Sequence, residues 1–204
     1  MLQGKLIVFE GPDDVGKSTA ARALVAKFDG FGIPCDYISF PGRESGTLGR
    51  LVYDIHHNIK QFGIVSIDST SLQLLHIAAH IDAIERAIVP ALTTGRTVVL
   101  DRYWWSTLVY GIVSQANRRS LTQMIAIEKN HWGEIRPHAV FLLRRALDAP
   151  TSLRSSQLST EYENVALCER AFYNVVPVNV HSDIEITMLG ILQSLKELLQ
   201  LGEG

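Results

Sequence analysis

Short apolar runs alternate along this chain with longer amphipathic stretches. Leu6–Glu10, Asp36–Phe40, Thr97–Leu100, Ala139–Leu143 and Val175–Val180 are four to six residues long, rich in β-branched and aromatic side chains, and bounded by turn residues. Runs of that length and composition predict buried strands. Between them, helical patterns begin near Lys17, Thr47, Ser71, Ser106, Leu121 and Glu161, and a last one runs from Ile184 to Leu201. Strands separated by helices predict βαβ units, and therefore a five-stranded parallel sheet covered on both faces: a three-layer α/β/α fold. No internal repeat, linker or low-complexity tract interrupts the 204 residues, so the expectation is one domain over 1–204. In such sheets ligands bind beyond the carboxyl ends of the strands. The residues just after each strand are therefore the ones to read for chemistry.

Composition narrows the class. A net charge of -2 without a basic cluster argues against a polymeric nucleic-acid partner, so any nucleotide bound should be small. The apolar segment Ile184–Leu201 carries Glu185, Lys196 and Glu197, which makes it an amphipathic helix, not a membrane span. The run Leu6-Ile7-Val8-Phe9 is too short for a signal peptide. Cys35 and Cys168 stand alone, which fits a reduced compartment. A cytoplasmic protein that does not contact membranes is the expectation.

The first strand leads into Gly11-Pro12-Asp13-Asp14-Val15-Gly16-Lys17-Ser18-Thr19, which fits G-x-x-x-x-G-K-[ST] at every fixed position. Gly11 and Gly16 let the backbone N–H groups curl around a phosphate, and the following helix points its positive end there. Lys17 would reach the β- and γ-phosphates of ATP, and the Ser18 hydroxyl would ligate Mg²⁺. A chance glycine turn before a helix would not meet all four positions after a strand. Beyond the second and third strands stand Arg43 and the run Asp101-Arg102-Tyr103. Either arginine alone would be read as a surface ion pair. Placed together at strand ends they form a candidate clamp for a second phosphate. Asp101 is where a loop of this type keeps the acid that orients the Mg²⁺ shell.

These segments resemble the thymidylate kinase family. Phe9-Glu10-Gly11-Pro12-Asp13-Asp14-Val15-Gly16-Lys17-Ser18-Thr19 is similar to its FEG-x-D-x-x-GKST, and Arg43-Glu44-Ser45-Gly46-Thr47-Leu48-Gly49 to a shortened REPGGTPLG. Asp101-Arg102-Tyr103-x-x-Ser106-x-x-x-Tyr110 follows DRY-x-x-S-x-x-x-Y, and Tyr162-Glu163-Asn164 with Glu169-Arg170 resembles the helix after the lid. The resemblance implies ATP- and Mg²⁺-dependent phosphoryl transfer to a nucleoside monophosphate, a mobile lid near Leu147–Thr160, and a homodimer. It implies that Arg43 and Arg102 hold the acceptor phosphate, Asp13 the sugar hydroxyl, and that Ser106 and Tyr110 line the acceptor site, with Tyr110 under the deoxyribose. Members place the cation for the transferring phosphoryl either in the phosphate loop or in the lid. The loop position here is the acidic Asp14, so the resemblance assigns that role to Arg154. It places adenine near His181-Ser182-Asp183. The dimer surface would draw on the helices Ser71–Leu92 and Ser106–Val113.

One segment departs from the pattern. The family's Leu-Leu-Phe-x-x-x-Arg, which stacks on and hydrogen-bonds the base, reads here Leu74-Leu75-His76-Ile77-Ala78-Ala79-His80. The phosphate-touching positions match while the base-reading ones differ, which points to a retained reaction with an altered base contact, on dTMP or a related or modified nucleotide. His76 and His80 share a helix face, but Ile77 replaces the glutamate of HExxH and no third ligand is near, so ordinary hydrogen-bonded histidines are preferred to a metal site. His56-His57 has no partner pattern. Trp104-Trp105 reads as packing, and Arg144-Arg145 as a solvated strand end. A deoxynucleoside kinase, a kinase for another small metabolite, and a nucleotide switch that transfers nothing remain as rival readings.

Overall fold

A computed structural model describes residues 4–145 and 152–200. Its sheet contains β1 (Leu6–Glu10), β2 (Cys35–Ser39), β3 (Thr97–Asp101), β4 (Ala139–Arg144) and β5 (Val175–Asn179). They are ordered β2-β3-β1-β4-β5, with every pair parallel. β1 is as expected; β2 is displaced by one residue at both ends, and β3, β4 and β5 differ by one residue at their C-terminal ends. Alternate residues of a strand point to opposite faces, and the two faces bury separate cores. Leu6, Val8, Val98, Leu100, Val140 and Leu142 point to one, with Trp104, Trp105 and Trp132. Ile7, Phe9, Val99, Phe141 and Leu143 point to the other, with Leu24, Met188 and Ile191. Trp104 and Trp105 are thus core residues, as read.

The helices are α1 (Lys17–Gly30), α2 (Leu48–His57), α3 (Ser69–Ala83), α4 (Val89–Thr93), α5 (Trp104–Val113), α6 (Arg118–Trp132), α7 (Leu153–Glu169) and α8 (Ile184–Gln200). The long helical stretch expected over Ser71–Leu92 is α3 and α4 joined by a widened turn at Ile84–Ile88. It sits just before Pro90, which has no N–H to give to the ladder. A second difference lies at α7, which starts at Leu153 and not near Glu161. Ser152 caps it, its side chain accepting from the Ser155 N–H, so the local cap outweighed the weak apolar pattern of the first two turns. The expected lid is therefore helical from Leu153; its residues 147–151 lie outside the described residues. On α5, Trp104, Trp105, Thr107 and Val109 are buried within the chain, while Leu108, Ile112 and Val113 are half-buried.

The loop from Phe40 to Thr47, which carries Arg43, is seated on the start of α2. There the Pro41 carbonyl lies so close to Gly49 that a Cβ at this position would stand 1.9 Å from its oxygen. Thr47 caps the helix by accepting the Arg50 N–H at 3.1 Å. Gly49→Ala should therefore push the Arg43 loop outward and cost about 1–3 kcal/mol of stability. The check is the denaturant midpoint; an unchanged midpoint would show that the loop shifts without strain.

Candidate active site

The phosphate loop joins the buried β1 to α1 and turns on two glycines with left-handed backbone, Gly11 at φ +138° and Gly16 at φ +92°. A Cβ on Gly11 would meet the Leu143 carbonyl oxygen at 2.5 Å, so the loop can pass β4 only without a side chain there. Val15 anchors the loop in the core, and Thr19 stands exposed on the first turn of α1. Lys17 is buried at 5% exposure and folds back to donate to the Pro12 carbonyl at 2.5 Å. Burial, and then the positive charge of Arg102, bring its ammonium down to about 8.

The acid expected at the end of β3 faces this loop. Asp101 Oδ2 accepts from Ser18 Oγ at 2.5 Å and from the Tyr37 hydroxyl at 3.0 Å. Its other oxygen, Oδ1, is buried with no hydrogen-bond partner among the described residues. A hydroxyl and a carboxylate side by side, with one acceptor oxygen unsatisfied, suit a hard oxygen-seeking cation, so Ser18 and Asp101 fit Mg²⁺.

Beside the loop opens a cavity of about 260 Å³ whose wall includes Asp13, Arg43, His76, Arg102, Tyr110 and Arg154. His80 and Ser106 also contribute. Every acceptor-side residue named from the sequence is therefore brought together. Arg102 is the centre of it. Its guanidinium pairs with Asp13, donates to Ser106 Oγ at 3.0 Å and to the Tyr162 hydroxyl at 3.5 Å, and stands 5.3 Å from the Tyr110 ring centre. Its backbone is left-handed at φ +76°, a strained conformation for a residue with a Cβ and one that recurs at functional positions. Arg43 is exposed and lies over the Tyr53 ring at 4.9 Å. Arg154, at the start of α7, donates to Ser114 Oγ at 3.3 Å across the cavity mouth. Ser182 sits exposed in the loop after β5. The residue before that loop, Val180, would be 3.7 Å from a Cβ on Gly16, which sets the loop beside the phosphate site.

Several participants were missed in the sequence. Glu10 closes the end of β1 and is fully buried. Its carboxylate accepts N–H groups from Tyr103 at 2.7 Å, Ser106 at 3.0 Å and Gly11 at 3.3 Å, and the Ser106 hydroxyl at 2.8 Å. It thereby caps α5 and steadies the residues flanking Arg102. Burial pushes its carboxyl above the usual range, opposed by the charge of Arg102 and by these donors. His56 and His57, given no role from sequence, also line the cavity. His76 Nε2 and His56 Nδ1 are 3.1 Å apart. Burial first, then neighbouring histidines, hold His76 well below its ordinary range and His56 below it too, so this wall is uncharged. His80 is buried, 2.9 Å from Glu128. Nor is Arg144-Arg145 a solvated pair. Arg144 grips Glu163 with two bonds of 2.6 and 2.5 Å, and Arg145 donates to the Asp13 carbonyl at 3.1 Å, over the phosphate loop. An open groove of about 590 Å³ by Arg22, Tyr37 and Arg96 gathers no such chemistry. There Arg96 is tied to Asp36 and Arg22 lies on Tyr37.

With the glycine loop, the Ser18–Asp101 pair and the two arginines placed together, comparison with known proteins decides the family. The model of the thymidylate kinase family matches residues 9–185. This chain belongs to the thymidylate kinase family. It is 30% identical over 166 residues to the thymidylate kinase of Lactiplantibacillus plantarum, covering 80% of this chain and 70% of that one. A shorter match, 40% identical over 110 residues, is to the thymidylate kinase of Legionella pneumophila and spans 53% of this chain and 50% of the relative. In fold it resembles the crystal structure of thymidylate kinase from Ehrlichia chaffeensis, with TM-score 0.75 at 19% identity over 94% of this chain and 98% of that one. Membership makes the chain an ATP-dependent nucleoside monophosphate kinase of the dTMP kinase type.

Two outcomes follow from the geometry. In Glu10→Gln the amide NH₂ must face one of four donors, leaving a buried clash, so stability should fall by about 1–3 kcal/mol in a denaturant melt. An unaltered midpoint would remove Glu10 from the framework of the site. Lys17 loses its charge as pH rises through about 8 in the free protein, and phosphate binding requires the ammonium. Calorimetry of Mg·ATP binding near pH 8 in buffers of different ionisation heat should show net proton uptake; none would mean that Lys17 stays charged throughout.

Proposed function

We propose that the chain transfers the γ-phosphoryl group of Mg·ATP to the 5′-phosphate of a deoxynucleoside monophosphate, dTMP or a related nucleotide, yielding the diphosphate. The observation that carries this is Arg102, a guanidinium held at the wall of the cavity directly beside the phosphate loop. A nucleotide switch or hydrolase has no need of a second anion clamp there, and a deoxynucleoside kinase would need a base near a 5′-hydroxyl in its place.

The roles follow from placement. The loop backbone from Gly11 to Thr19 and the start of α1 hold the donor phosphates, with Lys17 on the β/γ oxygens and adenine toward Ser182. Mg²⁺, held through Ser18 and Asp101, would supply charge neutralisation at the donor phosphates. Arg43 and Arg102 grip the acceptor phosphate in line with the donor; Asp13, now paired with Arg102, is placed to exchange that pairing for the sugar hydroxyl. Tyr110 and Ser106 floor the sugar. Arg154, brought down with the lid over about residues 147–160, neutralises the transferring group, and lid closure keeps water from taking it. The whole of 1–204 works as one kinase unit. A homodimer through α3, where Leu74 is half exposed, and a cytosolic setting complete the reading. Two unpaired cysteines support that setting, and among the described residues no helix is long and apolar enough to cross a membrane.

The decisive experiment is ADP release from Mg·ATP across a panel of nucleoside monophosphates, with products identified by chromatography. Acceptor-dependent ADP is expected with deoxynucleoside monophosphates, and Arg102→Ala or Arg154→Ala should each lower kcat/KM on the order of a thousandfold. ATP binding without turnover of any monophosphate would overturn the assignment. Leu74 replaced by an acidic residue should shift the protein toward monomer in sedimentation; an unchanged mass would place the dimer face elsewhere.

A further inference from the structure

Glu128 has no part in the reaction as described, yet it stands behind the wall of the acceptor cavity. It is fully buried on α6. Its Oε2 lies 2.9 Å from His80 Nδ1, and its Oε1 accepts the Trp132 indole N–H at 3.3 Å. The Phe40 ring is stacked on the imidazole, centroids 4.0 Å apart and planes 14° from parallel. His80 is thus fixed by its backbone, by Phe40 and by Glu128. The ring forms part of the cavity wall, while Nε2 has no hydrogen-bond partner among the described residues. A ring in the cavity wall with one nitrogen unsatisfied has a hydrogen bond to offer a ligand.

We infer that His80 and Glu128 form one base-reading unit that holds a single proton between them and donates His80 Nε2–H to a ring carbonyl of the acceptor base. Glu128 is the positioning residue, and the inference rests on the nucleoside monophosphate kinase reading above. The proton count sets the direction of the hydrogen bond. With one proton shared, the pair is either imidazolium and carboxylate or imidazole and carboxylic acid. In both forms Nε2 carries hydrogen and the pair has no net charge. Without that proton the carboxylate keeps Nδ1–H as its donor, Nε2 becomes an acceptor, and a net negative charge is buried. Burial disfavours that charged form, and the stacked Phe40 face favours the imidazolium.

The unit therefore offers a 4-oxo pyrimidine the donor that an arginine would offer. Unlike arginine it can release its proton to solvent as pH rises, after which Nε2 suits an amino group. Several titratable and charged groups of the neighbouring elements stand around the pair. On α3, His76 is 6.2 Å away by ring centroids and uncharged, and on α2 His56 bonds to His76 while His57 bonds to the Tyr53 carbonyl. On α6, Lys129 turns to Glu169 and His131 to Glu85 of the widened turn, and Arg118 and Arg119 are exposed at the far end of the helix; in the widened turn Arg86 pairs with Asp82. Beyond α3, the Arg102 of the cavity is paired with Asp13; α5 contributes the Ser106, Thr107 and Tyr110 hydroxyls to the cavity wall, and Tyr103, at its N-terminus, feels the Glu128 carboxylate and is held well above the usual phenol range chiefly by burial.

The test is the ratio of kcat/KM for dUMP to that for dCMP, which differ only in the 4-oxo or 4-amino pattern of the ring, between about pH 5 and about pH 9. Titration of the phosphates, Lys17 and the lid cancels in the ratio. The wild type should favour dUMP by about tenfold or more at the acid end and lose at least about tenfold of that preference as pH rises. In Glu128→Gln the donor-only Trp132 N–H claims the amide oxygen and turns the NH₂ toward His80 Nδ1. This forces hydrogen onto Nε2 with no proton to lose, so the ratio should stay high and flat. His80→Leu should bring the ratio near unity at every pH. Unfolding midpoints establish that each variant is folded. A flat wild-type ratio, or a Glu128→Gln variant that keeps the wild-type slope, overturns the inference. Absence of turnover with any monophosphate would instead strike the kinase reading. The pair is then judged by ¹⁵N NMR of the His80 ring in the free protein, where an Nε2 without hydrogen across the whole range overturns it.

Discussion

The site is organised around a buried carboxylate. Glu10 ends the central strand, where its charge is shielded from water, and it is stable there only because α5 delivers two backbone N–H groups and a serine hydroxyl to it. That requirement fixes where α5 begins relative to β1. Since Arg102 lies between β3 and α5, the same bonds fix the arginine. Ser106, which serves Glu10, also bonds to Tyr162 of α7, so the helix that carries Arg154 is tied to the same point. One unpaired charge would be costly in this core; the network that pairs it is the frame of the active site.

Around that frame the charges are arranged in partners that a substrate can displace. Arg102 is held by Asp13 and sits in strained backbone, Lys17 leans on a carbonyl of its own loop, and Asp101 keeps one oxygen unsatisfied. Each is a provisional contact whose better partner is a phosphate, a sugar hydroxyl or a cation. The charged groups are thus gathered beside one another before any ligand arrives, and ligand binding exchanges their protein partners for its own.

The cavity wall shows a different logic. Its imidazoles are held by side chains of other elements, His80 by Glu128 and the Phe40 ring and His76 by His56.

The sequence by itself determined the layers, the strands to within a residue, the phosphate loop, and the grouping of Asp13, Arg43, Arg102 and Tyr110. All of these follow from local information: period-two and helical apolar patterns, turn glycines, and side chains placed just beyond strand ends. The α7 start is marked locally by the Ser152 cap, but the first turns of the helix carry little apolar period. What only the tertiary structure decided are contacts between distant elements. Glu10 was visible in the loop motif, but its partners lie 93 and 96 residues on. Glu128 is 48 residues from His80, on another helix, and His56 meets His76 only because α2 packs on α3. Nothing local distinguishes such residues from surface acids and histidines, because their chemistry arises from burial and from a partner that folding alone brings within hydrogen-bond reach.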